Sequence, residues 1–554
     1  MAKPVKVQVR RQIRVGANRN RWVWVWLLLA ILFVAAVRVR LIGTPLERDE
    51  GEYAYAGQLI LQGIPPYQEV YNMKLPGTYV AYAVILALFG QTLQAIRLGL
   101  LLVNVATIVL MFFLARRFFD DLIAVIAAIS FALFSLLHAL LGIFAHATHF
   151  VLLAAVAGLL LLLKALESRR NGLLFWSGLS LGLAFLMKQH GAFFMVFALL
   201  YLLYYSGRKD TGWGEIFKRA IVLMLGLILP LVATCIALVA TGAFANFWFW
   251  TVTYAREYGT QVPLKVGILD LLIPKAVKLI LSAPLLWLLA VVGLYSLCLE
   301  IRREERSVFC VGLSLFSFLA ITPGLYFREH YFILLLAAAS LNAAAGVEFI
   351  RRLLSNVRTE SFASKVALSV FFLCAVGLIF GERAFLFALQ PIDVSREIYG
   401  GNPFPESVEV AKYLRAHTKP SDTIAVLGSE PQIYFYSRRR SASGMIYMYP
   451  MMEVHDYAKQ MQQEVRSALI HKRPKYIVVV NVPTSWGARE GSDLSIVQWA
   501  DKWAGRNYEL VGIVDIVSTT HTEYLWENDV VGYSPVGSNV LFVLRRKDSK
   551  NVRD

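Results

Sequence analysis

Asp49 and Glu50 stand side by side in RDEGEY, a few residues beyond the first long apolar run, with Tyr53 one turn further on and Lys74 following in NMKLPG. A carboxylate in a partly desolvated crevice has its basicity tuned for taking a proton from a hydroxyl, whereas the same acid in a solvated loop does no chemistry. Lys74 precedes Pro76-Gly77, a pair that breaks a helix. An ammonium held there at headgroup level either binds a lipid phosphate or snorkels to the interface. The REHY stretch puts Arg328, His330 and Tyr331 at the end of a span. A phosphate leaving group needs such donors, and an Arg328–Glu329 pair is the plainer alternative. His146 and His149 are spaced i, i+3, which on a helix gives two imidazoles on one face and permits a metal, although no acid or cysteine follows at ligand spacing. Lys188, in MKQHG, either extends the same polar set or marks a turn between helices.

The elements that must position these residues are membrane helices. The 554-residue chain is 57% hydrophobic with a mean hydropathy of +0.56, and many apolar runs approach the roughly 20 residues needed to span hydrocarbon. This is a polytopic α-helical membrane protein. Its formal charge of +17 does not point to nucleic acid, because Lys and Arg sit in short clusters between apolar runs, where they orient helices against anionic lipid. Cys235, Cys298, Cys310 and Cys374 have neither metal-ligand nor disulfide spacing and read as packing residues.

Residues 1–21 carry seven basic residues and no acid ahead of an uncleaved span at Trp22–Ile42, so this tail is expected in the cytoplasm and a large first loop, residues 43–92, outside. The apolar run 77–90 is too short to cross and reads as an interfacial or re-entrant helix. With that choice, eleven spans between residues 22 and 389 place Arg116-Arg117 and the basic clusters at 164–170, 208–219, 302–306 and 351–365 on the inner side. Phe247, Trp248, Phe249, Trp250 and Tyr254 read as an interfacial aromatic belt. At Gln390-Pro391 the composition changes. Helix-like ESVEVAKYLRAH and EVRSALIHKR alternate with strand-like TIAVLG, YIVVVN, ELVGIVDI and NVLFVLRR, so residues 390–554 are expected to form an extracytoplasmic α/β domain.

The ordered pattern resembles the GT-C superfamily of integral-membrane glycosyltransferases, particularly bacterial relatives of protein O-mannosyltransferases and of the lipid A aminoarabinose transferase. The pattern runs through Asp49, Glu50 and Tyr53, then Gly63 and Pro65, Lys74 and Pro76, Arg97-Leu98, Arg116-Arg117, Gly182-Leu183 with Lys188, and His330-Tyr331. It covers nearly all of the membrane portion. The resemblance implies Asp49 as base on an acceptor hydroxyl with Glu50 beside it, and Lys74 against the phosphate of a polyprenyl-phosphate-linked sugar. Tyr53, His149, Lys188, Arg328, His330 and Tyr331 complete the expected substrate site. The acceptor class is protein, lipid or polysaccharide, in a cell membrane; no cofactor is required, though a divalent metal is admissible, with His146 and His149 as its candidates. One departure is Thr148-His149, where relatives often carry an acid. A transporter or lipid flippase with an outer accessory domain is the competing class, but no internal repeat is evident and the polar residues gather at one face rather than at the bilayer midplane.

Overall fold

The computed structural model describes residues 21–547. The basic tail read from the sequence lies outside the described residues except for Arg21, which opens α1 (Arg21–Arg40). Among the described residues, seven helices are long and apolar enough to cross a membrane: α1, α4 (Leu93–Ala115), α6 (Ala147–Ser168), Gln189–Arg208, α9 (Trp213–Ala240), Glu329–Ser355 and Glu360–Gly381. An eighth crossing arises if Leu264–Ser282 and Pro284–Glu300, bent by 106° at their junction, count as one. The expected eleven is reached only by adding the shorter helices α5 (Asp121–Phe134), α7 (Asn171–Met187) and Glu305–Ala320. Short apolar α3 (Gly77–Phe89) has 13 residues, about 20 Å at the α-helical rise and well under the ~30 Å hydrocarbon core.

Local signals place the elements around the polar loops. Helix α2 (Arg48–Leu61) starts with a capping box, in which the Glu47 carboxylate accepts from the Glu50 amide and Glu50 reaches back to the Glu47 amide. Thr92 and Asp120 cap α4 and α5 more simply, their side-chain oxygens accepting from the Ala95 and Ile123 amides. Helix α3 begins against the end of α7 with no room to spare: a Cβ on Gly77 would lie 2.5 Å from the Leu186 carbonyl oxygen.

The C-terminal region is a six-stranded mixed sheet in the order β2-β1-β3-β6-β4-β5. Its strands are β1 (Thr423–Leu427), β2 (Arg440–Ser441), β3 (Tyr476–Asn481), β4 (Tyr508–Ile516), β5 (Thr522–Trp526) and β6 (Asn539–Arg546). β1, β2 and β3 run parallel, and β6 lies antiparallel between β3 and β4. This sheet does not float free of the membrane helices. Tyr53, Tyr79 and Tyr82 of α2 and α3 share one apolar core with Val410, Ile424, Tyr434 and Val478.

The aromatic series at residues 247–254 is not an interfacial belt. Phe247, Trp250 and Tyr254 are buried in a second core with Met445, Met448, Met451 and Met452, and of the expected belt only Trp248 is strongly exposed. The apolar drive that places Trp at a lipid interface is met here by methionines of the sheet region, whose unbranched side chains fill the gaps between rings.

Candidate functional site

Helix α2 distributes its acids to different places. Glu50 is fully buried, where Arg97 of α4 forms a two-point ion pair with it, and it also accepts from the Ala145 amide. Arg97 further donates to the Thr44 carbonyl at 3.0 Å. The expected pairing of Asp49 with Glu50 as one acidic unit therefore does not form. Successive residues on a helix point about 100° apart, and Glu50 is spent on holding α2 to α4.

The residue that shares Asp49's face is Glu52, three positions on. The Lys74 ammonium lies 2.7 Å from Asp49 Oδ1 and 2.6 Å from Glu52 Oε2, with the Tyr53 ring 4.6 Å and the Tyr447 ring 5.6 Å away. Glu52 has no solvent exposure and also accepts from Asn72 at 2.9 Å and from the Tyr79 hydroxyl. Sequence reading passed over Glu52, although i, i+3 spacing from Asp49 was available to flag it. Burial by itself would raise the Asp49 carboxyl; Lys74, with Lys188 beyond, outweighs it and holds Asp49 below the usual carboxylate range. Burial raises Glu52, the Lys74 charge opposes this, and Asp49 adds to the rise.

Opposite Asp49, the rings of His146 and His330 stack with centroids 4.1 Å apart. Burial takes the His146 pKa down to about 3, only partly opposed by Asp49, so its imidazole is neutral. Lys188 places its ammonium 3.5 Å from His330 Nε2 and 3.9 Å from the centre of the Tyr331 ring. Burial, together with Lys74 and Arg328, lowers its pKa to about 7. The Arg328 guanidinium lies 5.6 Å over the Tyr326 ring. Among the described residues neither Lys188 nor Arg328 has a carboxylate within ion-pair distance. The predicted residues Asp49, Tyr53, Lys74, Lys188, Arg328, His330 and Tyr331 thus collect around one centre, joined by His146.

His149 does not join them. His146 sits at the residue before α6, with extended φ and ψ of −63° and 150°, so the helical i, i+3 rule does not bring the two rings onto one face. The metal-capable set is instead Asp49, His146 and His330, whose ligand atoms all lie within 4.8 Å of one another. Both ring nitrogens of His146 are buried without a hydrogen-bond partner, and one carboxylate with two neutral imidazoles is a donor set that suits a zinc-like divalent ion. The residues present fit such an ion, with Lys74 already supplying one positive charge to Asp49.

Known proteins share this architecture. A family model described as dolichyl-phosphate-mannose-protein mannosyltransferase matches residues 75–239. No curated protein matches the sequence. Among solved structures, ArnT from Cupriavidus metallidurans bound to undecaprenyl phosphate is similar at a TM-score of 0.58 and 16% identity, over 95% of this chain and 98% of that one. The archaeal oligosaccharyltransferase AglB from Archaeoglobus fulgidus, in complex with an inhibitory peptide and a dolichol-phosphate, is similar at a TM-score of 0.57 and 13% identity, over 92% of this chain and 74% of that one. The Archaeoglobus fulgidus oligosaccharyltransferase in complex with Zn and sulfate is similar at a TM-score of 0.52 and 14% identity, over 91% of this chain and 73% of that one. The chain shares the fold of these proteins.

Proposed function

We propose that this GT-C-fold chain is a membrane glycosyltransferase that moves a sugar from a polyprenyl-phosphate donor to an acceptor hydroxyl, with inversion at the anomeric carbon. The observation that carries this reading is the juxtaposition of Asp49 with Lys188 and Arg328, two cations that no carboxylate among the described residues holds in an ion pair. The match of residues 75–239 to a mannosyltransferase model and the lipid phosphates named for ArnT and AglB support the donor class.

In this reaction the acceptor oxygen attacks the anomeric carbon as its proton passes to Asp49, and the bond from that carbon to the phosphate oxygen breaks on the opposite side. The leaving phosphate takes the electron pair. Its charge falls to Lys188 and Arg328, because two of the three Lys74 N–H donors are occupied by Asp49 and Glu52. Lys74, read from the sequence as the phosphate ligand, is in this arrangement the counter-ion that orients Asp49. A divalent ion, if bound, would be held by Asp49, His146 and His330 and would add positive charge to the site. The positive-inside bias of the basic loops puts this centre and the sheet region at the outer membrane face.

The test is incubation of the purified protein in detergent with a panel of radiolabelled polyprenyl-phosphate sugars and membrane extract. Transfer of label from one donor to an extractable acceptor is expected. Absence of transfer from every donor, with the protein folded, contradicts the reading.

A further inference from the structure

The membrane helices do not hold Asp49 in place alone. Arg48, its neighbour, donates to Glu430 at 2.7 Å, to Asn402 at 2.8 Å and to the Ser429 carbonyl at 2.9 Å, all from the region beyond the last long apolar helix. The Leu46 amide donates to the Tyr436 hydroxyl at 2.9 Å, and Gln58 donates to the Phe435 carbonyl at 3.1 Å. Gly51 presses against the same segment, where a Cβ would lie 2.6 Å from the Gln432 amide nitrogen. Helix α2, from the residues just before it to Gln58, is therefore gripped by residues 402–436.

One residue of this region reaches the carboxylate itself. Tyr447, only 5% exposed, donates its hydroxyl to the Arg48 carbonyl at 2.9 Å and stands 3.5 Å from the same Asp49 oxygen that Lys74 holds. Its ring also lies over the Lys74 ammonium, so that Tyr53 and Tyr447 together wall in the cation. We propose that Tyr447 is a positioning residue of the catalytic centre, through which the C-terminal region sets the direction of Asp49 and confines Lys74. The proposal rests on the assignment of Asp49 as base. The hydroxyl fixes the peptide that carries Asp49, and the ring keeps Lys74 against its two carboxylates by covering it from solvent.

Two variants separate these parts. Tyr447→Phe keeps the ring and removes the hydroxyl; Tyr447→Leu removes both. In the full-length protein, Tyr447→Phe should lower sugar transfer about tenfold, the size of one lost neutral hydrogen bond, with donor Kd within twofold of wild type. A merely structural role would leave turnover unchanged or lower it together with donor affinity and thermal stability. Acylation of Lys74 by an amine-reactive ester, read by mass spectrometry, needs no activity, and should be several-fold faster in Tyr447→Leu than in wild type. Wild-type turnover in Tyr447→Phe overturns the proposal. If no donor supports transfer, the proposed function fails on its own, and acylation still decides: faster labelling in Tyr447→Leu upholds the placement of Tyr447 over Lys74, and unchanged labelling overturns it. Should Tyr447→Leu not fold, Tyr447→Phe acylated in parallel with Glu430→Gln takes its place. Release of Arg48 in Glu430→Gln should speed Lys74 labelling while Tyr447→Phe does not, and equal labelling in both overturns the proposal.

Discussion

Asp49, Glu50 and Glu52 lie within four residues, yet Asp49 and Glu52 share the Lys74 ammonium while Glu50 turns to Arg97. Glu50 and Arg97 are both buried, so Glu50→Gln leaves a guanidinium without its counter-charge and should cost about 3–5 kcal/mol of stability. A thermal melt in detergent reads this, and an unchanged melting temperature would show that the pair is not what holds α2 to α4. Lys188 makes a pH forecast. Its pKa of about 7 leaves it charged below neutrality and neutral above it. A polyprenyl-phosphate sugar is a phosphodiester whose single charge is constant across this range. Donor binding above pH 7 must therefore take up a proton, and affinity should fall by up to about tenfold per pH unit as pH rises. Donor Kd measured from pH 6 to 9 should show this slope in the wild type and lose it in Lys188→Ala. At this scale the sequence disclosed the residue types but little of their facing: within DEGE only the i, i+3 spacing of Asp49 and Glu52 says that these two share a face, and Tyr447 lies almost four hundred residues away in the chain.

At the scale of elements, short α3 and the aromatic segment 247–254 do work that periodicity alone did not assign. Trp250 is buried against the methionines of residues 445–452 and stacks with Tyr71 of the long first loop at 5.8 Å. Trp250→Ala should destabilise by about 3–5 kcal/mol and expose the sheet region to limited proteolysis, whereas a residue in a lipid-facing belt would do neither. The four strands read from alternation became β1, β3, β4 and β6, because each is a run of β-branched or aliphatic residues bounded by turns. The two that were missed lack that signature: β2 is two residues long, and β5 is a five-residue, half-exposed edge strand whose Trp526 packs over Gly512 of β4. The aromatic segment was misread for a related reason, since a run of Trp and Phe has the same composition against lipid as against methionine.

For the whole molecule, the order of motifs along the chain announced a GT-C architecture, and the alignment with ArnT over 95% of this chain agrees with it. What the linear order did not carry is the closure of the site by the C-terminal region, since contacts such as Arg48 with Glu430 join residues hundreds of positions apart. The proposed sidedness has its own check. Cysteine placed at Gly90, at the end of α3, should be labelled in cells by an impermeant reagent, and cysteine at Arg117 only after permeabilisation. Labelling of both from the same side would invert the arrangement.

The central claim is that Asp49 takes the acceptor's proton in sugar transfer from a lipid phosphate. Asp49→Asn removes basicity and nearly preserves shape, so turnover and donor affinity measured together on that variant test the claim most directly. A loss of about 10²-fold or more in turnover, with donor Kd changed by no more than a few-fold, is the predicted result; turnover within a few-fold of wild type would contradict it.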